Sequence, residues 1–577
     1  MQKLLLGNEA VARGLYEAGV SVVSSYPGTP STEITEFAAT YDEMYCEWAP
    51  NEKVAVEVAI GASMAGKRAF AAMKHVGLNV AADPLFTVSY IGVHGGLVIG
   101  VADDPGMHSS QNEQDSRHYA RASKVPMLEP STSEECLLFT KLAFELSEQF
   151  DTPVLLRLST RVAHSRSFCT LSERCEPVLS PYQKDIQKNV MMPAMAIKRH
   201  PVVEERLEKF TALAEETTLN RIEEGDPAIG VITSGISYTY VKEALGDRAC
   251  CLKLGMVHPL PVDLIRKFAA KVDRLYVVEE LDDIIETHCR KHGISVIGKE
   301  VFPLCGEFSQ EMVREKILGE KTECLAFPEE VPGRPPVMCA GCPHRGTYYA
   351  LKKLGVYVSG DIGCYSLGAA APLSAVDTVV CMGASVSGAH GYNKAVGKDK
   401  GKATVAVIGD STFIHSGVTG LINVAYNQAN TVTVILDNSI TGMTGHQQNP
   451  TTGLTIKGDP TAAVDLEALA KAVGINRVKV VDPYDIDATY EVLKEEIAVE
   501  EPSVVIARRP CALLKNVKHN KPFSIDADQC KSCKACFRIG CPAIMMRDGK
   551  AAIDNIQCVG CGECLSLCKF GAICKGE

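Results

Sequence analysis

The sequence lacks any long apolar run: nowhere do about 18 apolar residues follow one another without interruption, so no membrane-spanning helix is expected. Near the start, MQKLLLGNEA holds only three successive leucines, too few for the apolar core of a signal peptide. Basic runs are also missing, and the formal net charge is −11, so no nucleic-acid partner is expected. With 46% hydrophobic and 22% charged residues, the composition is typical of a soluble globular protein.

Cysteine, in contrast, is plentiful. Of 23 cysteines, nine lie within the last fifty of the 577 residues. Without a secretion signal, these residues predict a reducing, cytoplasmic location. In such a compartment, cysteine groups bind metals more often than they form disulfides.

The terminal cysteines form two similar runs. The first reads C-x2-C-x2-C-x4-C-P and the second C-x2-C-x2-C-x3-C, the pattern of bacterial two-cluster ferredoxins, in which the fourth cysteine of each run binds the other cluster. We therefore predict two [4Fe–4S] clusters in a ferredoxin-like α+β domain. Their ligands would be Cys530, Cys533, Cys536 and Cys568 for the first cluster, and Cys558, Cys561, Cys564 and Cys541 for the second.

Two local departures from that pattern leave the number of ligands intact. One extra residue precedes Cys541, and Lys569 stands where a second proline is usual. Zinc is the alternative occupant, because C-x2-C pairs also suit a tetrahedral zinc ion. The ninth cysteine, Cys574, is interpreted as a spare thiol.

Strand-like runs alternate with helical patterns through most of the chain, which predicts a multidomain α/β protein with doubly wound parallel sheets. The proline-rich VPGRPP at 331–336 marks a boundary. We expect α/β domains at 1–165, 226–325 and 331–515, a polar connection at 166–225 with a helix over Pro201–Glu216, and the cysteine-rich domain at 521–577.

The third α/β domain carries polar residues at two strand ends. Three apolar runs, at 378–384, 403–410 and 431–438, predict strands, and GDST (Gly409 to Thr412) and DNSI (Asp437 to Ile440) lie at the ends of the second and third. A glycine turn at a strand end lets backbone amides approach a phosphate, and oxygens of Asp410, Asn438 and the Ile440 carbonyl could hold Mg²⁺. The arrangement resembles the thiamine diphosphate motif, although Ser411 stands where glycine is usual. By itself the signal is weak, because Asp and Asn are common in turns.

Thiamine chemistry also needs a buried carboxylate that hydrogen-bonds the aminopyrimidine ring. Glu52 opens a predicted helix in the first domain and is the candidate, with Glu57 as its competitor. The segment SSYPGTPSTEI opens another helix at Ser31, where Thr29 could donate a hydrogen bond to a bound carboxylate.

Together, YPGTP, the NE…G…G run, CAGCPHRG, GDIGCY, GDS…DN and the two cysteine runs resemble the 2-oxoacid:ferredoxin oxidoreductases over essentially the whole chain. CPHRG and GDIGCYSLG are most specific for the indolepyruvate branch. The resemblance implies that Glu52 activates the pyrimidine N1′, that Thr29 contacts the substrate carboxylate, and that the second domain is of the transketolase C-terminal type. It also implies a set of cofactor-contacting residues: Gly363, Cys364, Tyr365, Gly409, Asp410, Ser411, Asn438 and Ile440.

The implied reaction is oxidative decarboxylation of an aryl 2-oxoacid, with thiamine diphosphate, Mg²⁺ and two [4Fe–4S] clusters as cofactors. Coenzyme A takes the acyl group, and ferredoxin takes the electrons. A smaller β subunit is the implied partner in a heteromer. The alternatives are another 2-oxoacid, a non-oxidative thiamine decarboxylase or synthase, which has no use for the cysteine-rich tail, and an electron-transfer subunit with an inactive thiamine fold.

One question stays open at this stage. Cys339, Cys342 and Cys364 resemble ligands of a further cluster near the cofactor in relatives, with Cys381 as a possible fourth. Against this, cysteine is a common buried residue, and Pro343-His344-Arg345 is interpreted as a cofactor loop.

Overall fold

The computed structural model describes residues 1–176, 182–323, 327–396 and 403–575. The chain forms two compact units, Met1–Pro328 and Glu329–Glu577, here called unit 1 and unit 2. Their boundary lies three residues before the proline-rich segment at 331–336.

Unit 1 is an α/β structure. Its strands are β1 (Gln2–Leu6), β2 (Val22–Ser25), β3 (Tyr45–Trp48), β4 (Ala69–Lys74), β5 (Leu97–Asp103), β6 (Met127–Leu128), β7 (Val154–Ser159), β8 (Arg166–Thr170), β9 (Arg221–Glu223), β10 (Gly230–Ser234), β11 (Cys250–Leu254), β12 (Met256–His258) and β13 (Leu275–Val278). Its helices are α1 (Gly7–Glu17), α2 (Thr32–Ala38), α3 (Glu52–Met64), α4 (His75–Val80), α5 (Ala82–Ile91), α6 (Arg117–Ser123), α7 (Ser133–Phe150), α8 (Thr160–His164), α9 (Ile186–Asn189), α10 (Pro193–Glu216), α11 (Gly235–Leu245), α12 (Val262–Ala269), α13 (Ile284–Lys291) and α14 (Gln310–Leu318).

The main sheet of unit 1 has the strand order β12-β6-β7-β5-β4-β2-β3, and only β12 runs antiparallel to its neighbour. Strands β4, β5 and β7 are buried along their whole length, as expected for a parallel sheet covered on both faces. A smaller sheet has the order β13-β10-β11-β9, and β1 pairs with β8. Parallel order brings the carboxyl ends of β2 and β4 to one edge, where the loops discussed below begin.

The structure departs from three expectations in unit 1. Residues 1–165 and 226–325 share one apolar core, in which Val101 and Leu252 take part, and β12 extends the sheet of the first region. The connection at 166–225 contributes β8 and β9 to sheets. Its helix α10 begins at Pro193 rather than at Pro201, and Pro201 lies inside the helix.

Unit 2 contains a second parallel sheet and the cysteine-rich tail. Its strands are β14 (Tyr357–Gly360), β15 (Thr378–Val379), β16 (Thr404–Gly409), β17 (Val432–Asp437), β18 (Arg477–Val481), β19 (Ser503–Arg508), β20 (Phe523–Ile525), β21 (Ile544–Arg547), β22 (Lys550–Ile553) and β23 (Ile573–Lys575). Its helices are α15 (His344–Leu354), α16 (Ala384–Val396), α17 (Asp410–Thr412), α18 (Val418–Tyr426), α19 (Leu466–Ala472) and α20 (Ile486–Ile497).

The sheet order is β15-β14-β16-β17-β19-β18, with every pair parallel. The run Thr378–Ala384, expected as a full strand, forms only the two-residue edge strand β15. It ends early because the Asp361 carboxylate accepts hydrogen bonds from the backbone amides of Gly383 and Ser385 (both 3.0 Å), which turns the chain into α16. In the tail, β20 pairs with β23 and β21 with β22, both antiparallel.

Candidate active site

The loop after β2 carries Thr29 in unit 1. Ser31 stands at the N-cap of α2, as the sequence predicted, but its hydroxyl donates to the Gly28 carbonyl (2.8 Å) rather than capping the helix. Thr29 is half-buried, and its own carbonyl accepts a hydrogen bond from Ser109 Oγ (3.2 Å). The loop is therefore fixed by internal hydrogen bonds.

Glu52 is the first residue of α3 and is buried, 4% exposed. Asn51 caps the helix by accepting a hydrogen bond from the Val54 amide (2.9 Å). The Glu52 side chain lies directly over Gly77: a Cβ added there would stand 2.6 Å from Glu52 Oε1. Glycine at position 77 thus makes room for the carboxylate.

The competing candidate, Glu57, lies one turn and a half further along α3. It is exposed and forms an ion pair with Lys53. A pyrimidine-activating carboxylate must be shielded from water, so the difference in burial favours Glu52.

A lysine that sequence reasoning did not single out lies beside both groups. Lys74 ends β4, and its aliphatic chain packs against Gly28. Burial, opposed by the charges of Asp104 and Glu52, lowers the pKa of Lys74 to about 8. A lysine at a strand end is ordinarily interpreted as a solvated residue, so only the structure reveals its position.

In unit 2, Asp410 follows β16 directly and is buried. Its Oδ1 accepts a hydrogen bond from the Ser411 amide (2.8 Å), and its Oδ2 accepts one from Thr451 Oγ1 (3.4 Å). Burial and the nearby charge of Asp437 raise the pKa of Asp410 to about 7. Both effects oppose ionisation, and a bound divalent cation would reverse them.

Asn438 and Ile440 follow the neighbouring strand, β17. The Asn438 Oδ1 accepts from the Ile440 amide (3.3 Å), and its Nδ2 lies 3.4 Å from His344 Nε2. The two strand-end loops are joined by a hydrogen bond from Thr441 Oγ1 to Ser411 Oγ (2.9 Å). Carboxylate, amide and carbonyl oxygens gathered at one sheet edge fit a hard cation such as Mg²⁺.

The Tyr365 ring explains why positions 363 and 409 are glycine. Its ring is buried against Gly363 and Gly409, where added Cβ atoms would stand 2.3 and 2.5 Å from ring carbons. Its hydroxyl donates to the Ile362 carbonyl (2.7 Å). Tyr365 therefore packs against both glycine turns and brings them close together.

The tail contains two cavities that are lined by cysteines. One is lined by Cys530, Cys533, Cys536 and Cys568, and the other by Cys541, Cys558, Cys561 and Cys564. Each cavity thus combines three thiols of one run with the fourth thiol of the other run. Apolar residues such as Phe523 and Ile573 complete the walls, and this dry, sulfur-lined setting fits a [4Fe–4S] cube.

A site for a single metal ion brings its ligand atoms closer together than a site for a four-iron cluster does. Within the described residues, no group of three or more His, Cys, Asp or Glu side chains converges closely enough to hold one metal ion. The tail thiols instead line the two cavities described above.

Arg345, placed by the sequence in a cofactor loop, contacts both the start of that segment and the cysteine-rich tail. It is buried, and its Nη2 donates to the carbonyls of Met338 (2.7 Å) and Cys339 (2.8 Å). Its Nη1 donates into the tail, to the carbonyls of Ile539 (3.0 Å) and Gly540 (2.5 Å). The side chain therefore joins the tail to the segment that precedes α15.

Of the four cysteines considered for a further cluster, Cys339 acts through its charge on both Cys342 and Cys364, whereas Cys381 does not share these effects. Burial, with added charge effects of Cys511 and Cys339, raises the pKa of Cys364 to about 11, so these three thiols are neighbours. Cys381 is exposed, and the charge that acts on it is that of Asp361. If a further cluster is bound here, Cys511 replaces Cys381 as the nearby thiol; the sequence offered no spacing that would reveal it.

Comparisons with known proteins agree with this geometry. A family model for the thiamine-diphosphate-binding domain of pyruvate flavodoxin/ferredoxin oxidoreductases matches residues 13–228, and one for the C-terminal thiamine-pyrophosphate-binding domain of thiamine pyrophosphate enzymes matches residues 361–507. The chain is 42% identical to the indolepyruvate oxidoreductase subunit IorA of Archaeoglobus fulgidus, over 99% of this chain and 97% of that protein. It is 41% identical to the Pyrococcus horikoshii subunit of the same name, over 99% and 96%.

These findings define a thiamine-diphosphate-dependent oxidoreductase. The chain belongs to the indolepyruvate oxidoreductase IorA family of the 2-oxoacid:ferredoxin oxidoreductases. A 2-oxoglutarate synthase subunit KorA from Archaeoglobus fulgidus is a more distant relative, 26% identical over 52% of this chain. In the described part of the chain, no helix has the length and apolarity needed to cross a membrane.

Proposed function

We propose that this chain is the larger subunit of a cytoplasmic enzyme that oxidatively decarboxylates aryl 2-oxoacids such as indolepyruvate and phenylpyruvate. The products are aryl-acetyl-CoA, carbon dioxide and a proton, and the electrons released pass to ferredoxin. A smaller β subunit completes the heteromer, as the word "subunit" in the relatives' names suggests. Among the supporting observations, the two cysteine-lined cavities carry the proposal furthest, because a non-oxidative decarboxylase has no need of an electron exit.

Thiamine diphosphate, when bound, supplies the nucleophilic carbon that attacks the keto carbon and takes up the electrons of the broken carbon–carbon bond. Glu52 then holds a proton at the pyrimidine N1′, which its burial over Gly77 suits. Asp410, Asn438 and the Ile440 carbonyl would hold Mg²⁺ against the diphosphate, and the glycine turns at Gly363 and Gly409 would admit the phosphate oxygens.

Thr29 is assigned to the substrate carboxylate. The loop position at the carboxyl end of β2 supports this role, since ligands of open α/β sheets bind at that edge. The eight tail cysteines would hold two clusters that remove electrons singly. Arg345 joins the tail to the segment that precedes α15, a contact that supports a fixed position for the proposed clusters within unit 2.

The test is reduction of ferredoxin, or of a viologen, by the complex reconstituted with its β subunit. Indolepyruvate, phenylpyruvate and pyruvate are compared, each with and without coenzyme A. Reduction should require coenzyme A and be fastest with the aryl substrates. Turnover without an electron acceptor would refute the oxidoreductase assignment, and a preference for pyruvate would refute the aryl specificity.

A further inference from the structure

Lys74 is a buried cation with few partners. Its side chain is 9% exposed, at the carboxyl end of the fully buried strand β4. Burying an ammonium group away from water is costly unless it is hydrogen-bonded or paired with a carboxylate. Lysine carries three N–H donors, so such a position normally shows several close acceptors.

The described residues provide only one acceptor: Lys74 Nζ donates to the Ser109 carbonyl (3.0 Å) and, in that part of the chain, has no carboxylate within ion-pair distance. Asp104 is near enough to act on Lys74 through its charge, but its carboxylate binds other groups. Its oxygens accept hydrogen bonds from the Ser109 amide (2.9 Å), Ser110 Oγ (2.7 Å) and Thr160 Oγ1 (2.7 Å). Two of the three N–H groups of the ammonium are therefore left to donate to a ligand.

The position of Lys74 identifies the kind of ligand. Its methylene chain packs against Gly28, the residue before Thr29. Ser109 joins the two, because its hydroxyl donates to the Thr29 carbonyl (3.2 Å) while its own carbonyl accepts from Lys74. Glu52 acts on Lys74 through its charge, so the ammonium is near the carboxylate assigned to the pyrimidine as well as near the loop assigned to the substrate.

We propose that Lys74 binds the carboxylate of the 2-oxoacid together with Thr29. This inference rests on the proposed function, since it concerns the same substrate. A charge-assisted hydrogen bond to a carboxylate would complete the ammonium's hydrogen bonding and compensate its burial. His75, the next residue, is also buried, but its Nε2 is engaged with the Asn112 carbonyl (3.1 Å) and it offers no permanent charge.

The role has a kinetic signature. The carboxylate is lost as neutral carbon dioxide, so its attraction to Lys74 is strongest before the bond breaks. Such an interaction stabilises the bound substrate about as much as an early transition state and gains nothing as the bond breaks. Removing it should raise KM strongly and leave kcat little changed.

The experiment uses the complete, cofactor-loaded complex in two variants. Lys74→Met keeps an unbranched side chain of similar length without the charge, and Lys74→Arg keeps the charge. Binding is measured by calorimetry with phenyllactate, which has the carboxylate but no keto carbon to attack, and with its neutral amide. Lys67→Met, at an exposed lysine beyond α3, is the matched control.

For Lys74→Met we expect phenyllactate binding to weaken, and the KM for phenylpyruvate to rise, by about tenfold or more, with the amide unaffected. Lys74→Arg should recover most of the loss, and Lys67→Met should behave as the wild type. Equal weakening of phenyllactate and its amide, or unchanged binding of both, would overturn the inference. A wild-type complex that turns over no 2-oxoacid would instead refute the proposed function, so the two failures are distinguishable.

Discussion

Arg345 donates a 2.5 Å hydrogen bond to the carbonyl of Gly540, the residue immediately before Cys541. The same guanidinium binds the carbonyls of Met338 and Cys339 on the opposite side. One buried side chain thus connects the cysteine-rich tail to the loop that begins α15, and its planar fork suits this task better than a lysine would.

Replacing Arg345 by Gln should loosen the tail without removing its thiols. Loss of the four charge-assisted hydrogen bonds should cost about 3 kcal/mol or more, because the carbonyls of Ile539 and Gly540 lose a buried donor. We expect faster amide hydrogen exchange over Ala535–Ile539 and slower ferredoxin reduction, with iron content retained. Arg538→Gln, at an exposed arginine of the same segment, is the control. Exchange rates equal to those of the control would contradict the connecting role.

Replacing Glu52 by Gln tests the pyrimidine assignment. Glutamine keeps the shape of the side chain over Gly77 but cannot take up the proton, so turnover of phenylpyruvate should fall by about 10²–10⁴. Iron content and cluster spectra should stay unchanged, because Glu52 is not one of the eight tail cysteines proposed to hold the clusters. The exposed neighbour Glu57→Gln should retain full activity. If the Glu52→Gln enzyme were as active as the Glu57→Gln enzyme, Glu52 would have no role in the mechanism.

Several elements were accessible from the sequence because their signal is local. The apolar runs before Gly409 and Asn438 are strands β16 and β17, within one or two residues of the predicted ends. The edge strand β15 was overestimated, since the turn that ends it depends on Asp361, more than twenty residues away in sequence. Long-range contacts of this kind leave no periodic pattern.

The candidate site divides in the same way. The sequence indicates Glu52 because it starts a helix, and Asp410 because it follows a strand. It does not indicate the roles of Lys74 and Arg345, because these depend on burial among residues that are distant along the chain. Sequence reasoning therefore identified the residues assigned to the cofactors but not those that surround them.

Glu280 gives unit 1 a pH-dependent stability. Burial raises its pKa to about 7, and its carboxylate accepts a hydrogen bond from the Phe308 amide (2.8 Å). The folded protein holds this proton up to about pH 7, whereas the unfolded chain releases it near the ordinary value for Glu, about 4.3. Stability contributed by the neutral carboxyl is therefore present at low pH and is lost as the pH rises through that interval, by about 3 kcal/mol in total.

The substitution Glu280→Gln removes the titrating group and keeps an oxygen for the Phe308 amide. We expect the thermal unfolding midpoint of the variant to approach that of the wild type near pH 5 and to exceed it at pH 8. Glu300→Gln, at an exposed glutamate, should show no such divergence. A difference between Glu280→Gln and wild type that does not change with pH would contradict the assigned titration.

The crossed lining of the two tail cavities predicts which cysteines act together. Cys568 lies far along the chain from Cys530, but both line one cavity, so Cys530→Ser and Cys568→Ser should alter the same cluster signal in electron paramagnetic resonance. By the same reasoning, Cys541→Ser should alter the signal that Cys558→Ser alters. Each change should leave the other cluster's signal intact, because the cavities share no cysteine.

Cys574→Ser is the internal control for these variants. Its thiol is exposed in β23, and it lines neither cavity, so iron content and both signals should be unchanged. The sequential pairing, in which Cys541 acts with Cys530 and Cys568 acts with Cys558, is the result that would contradict this prediction. It would mean that each run folds around its own cluster, with all four thiols of one run at one site.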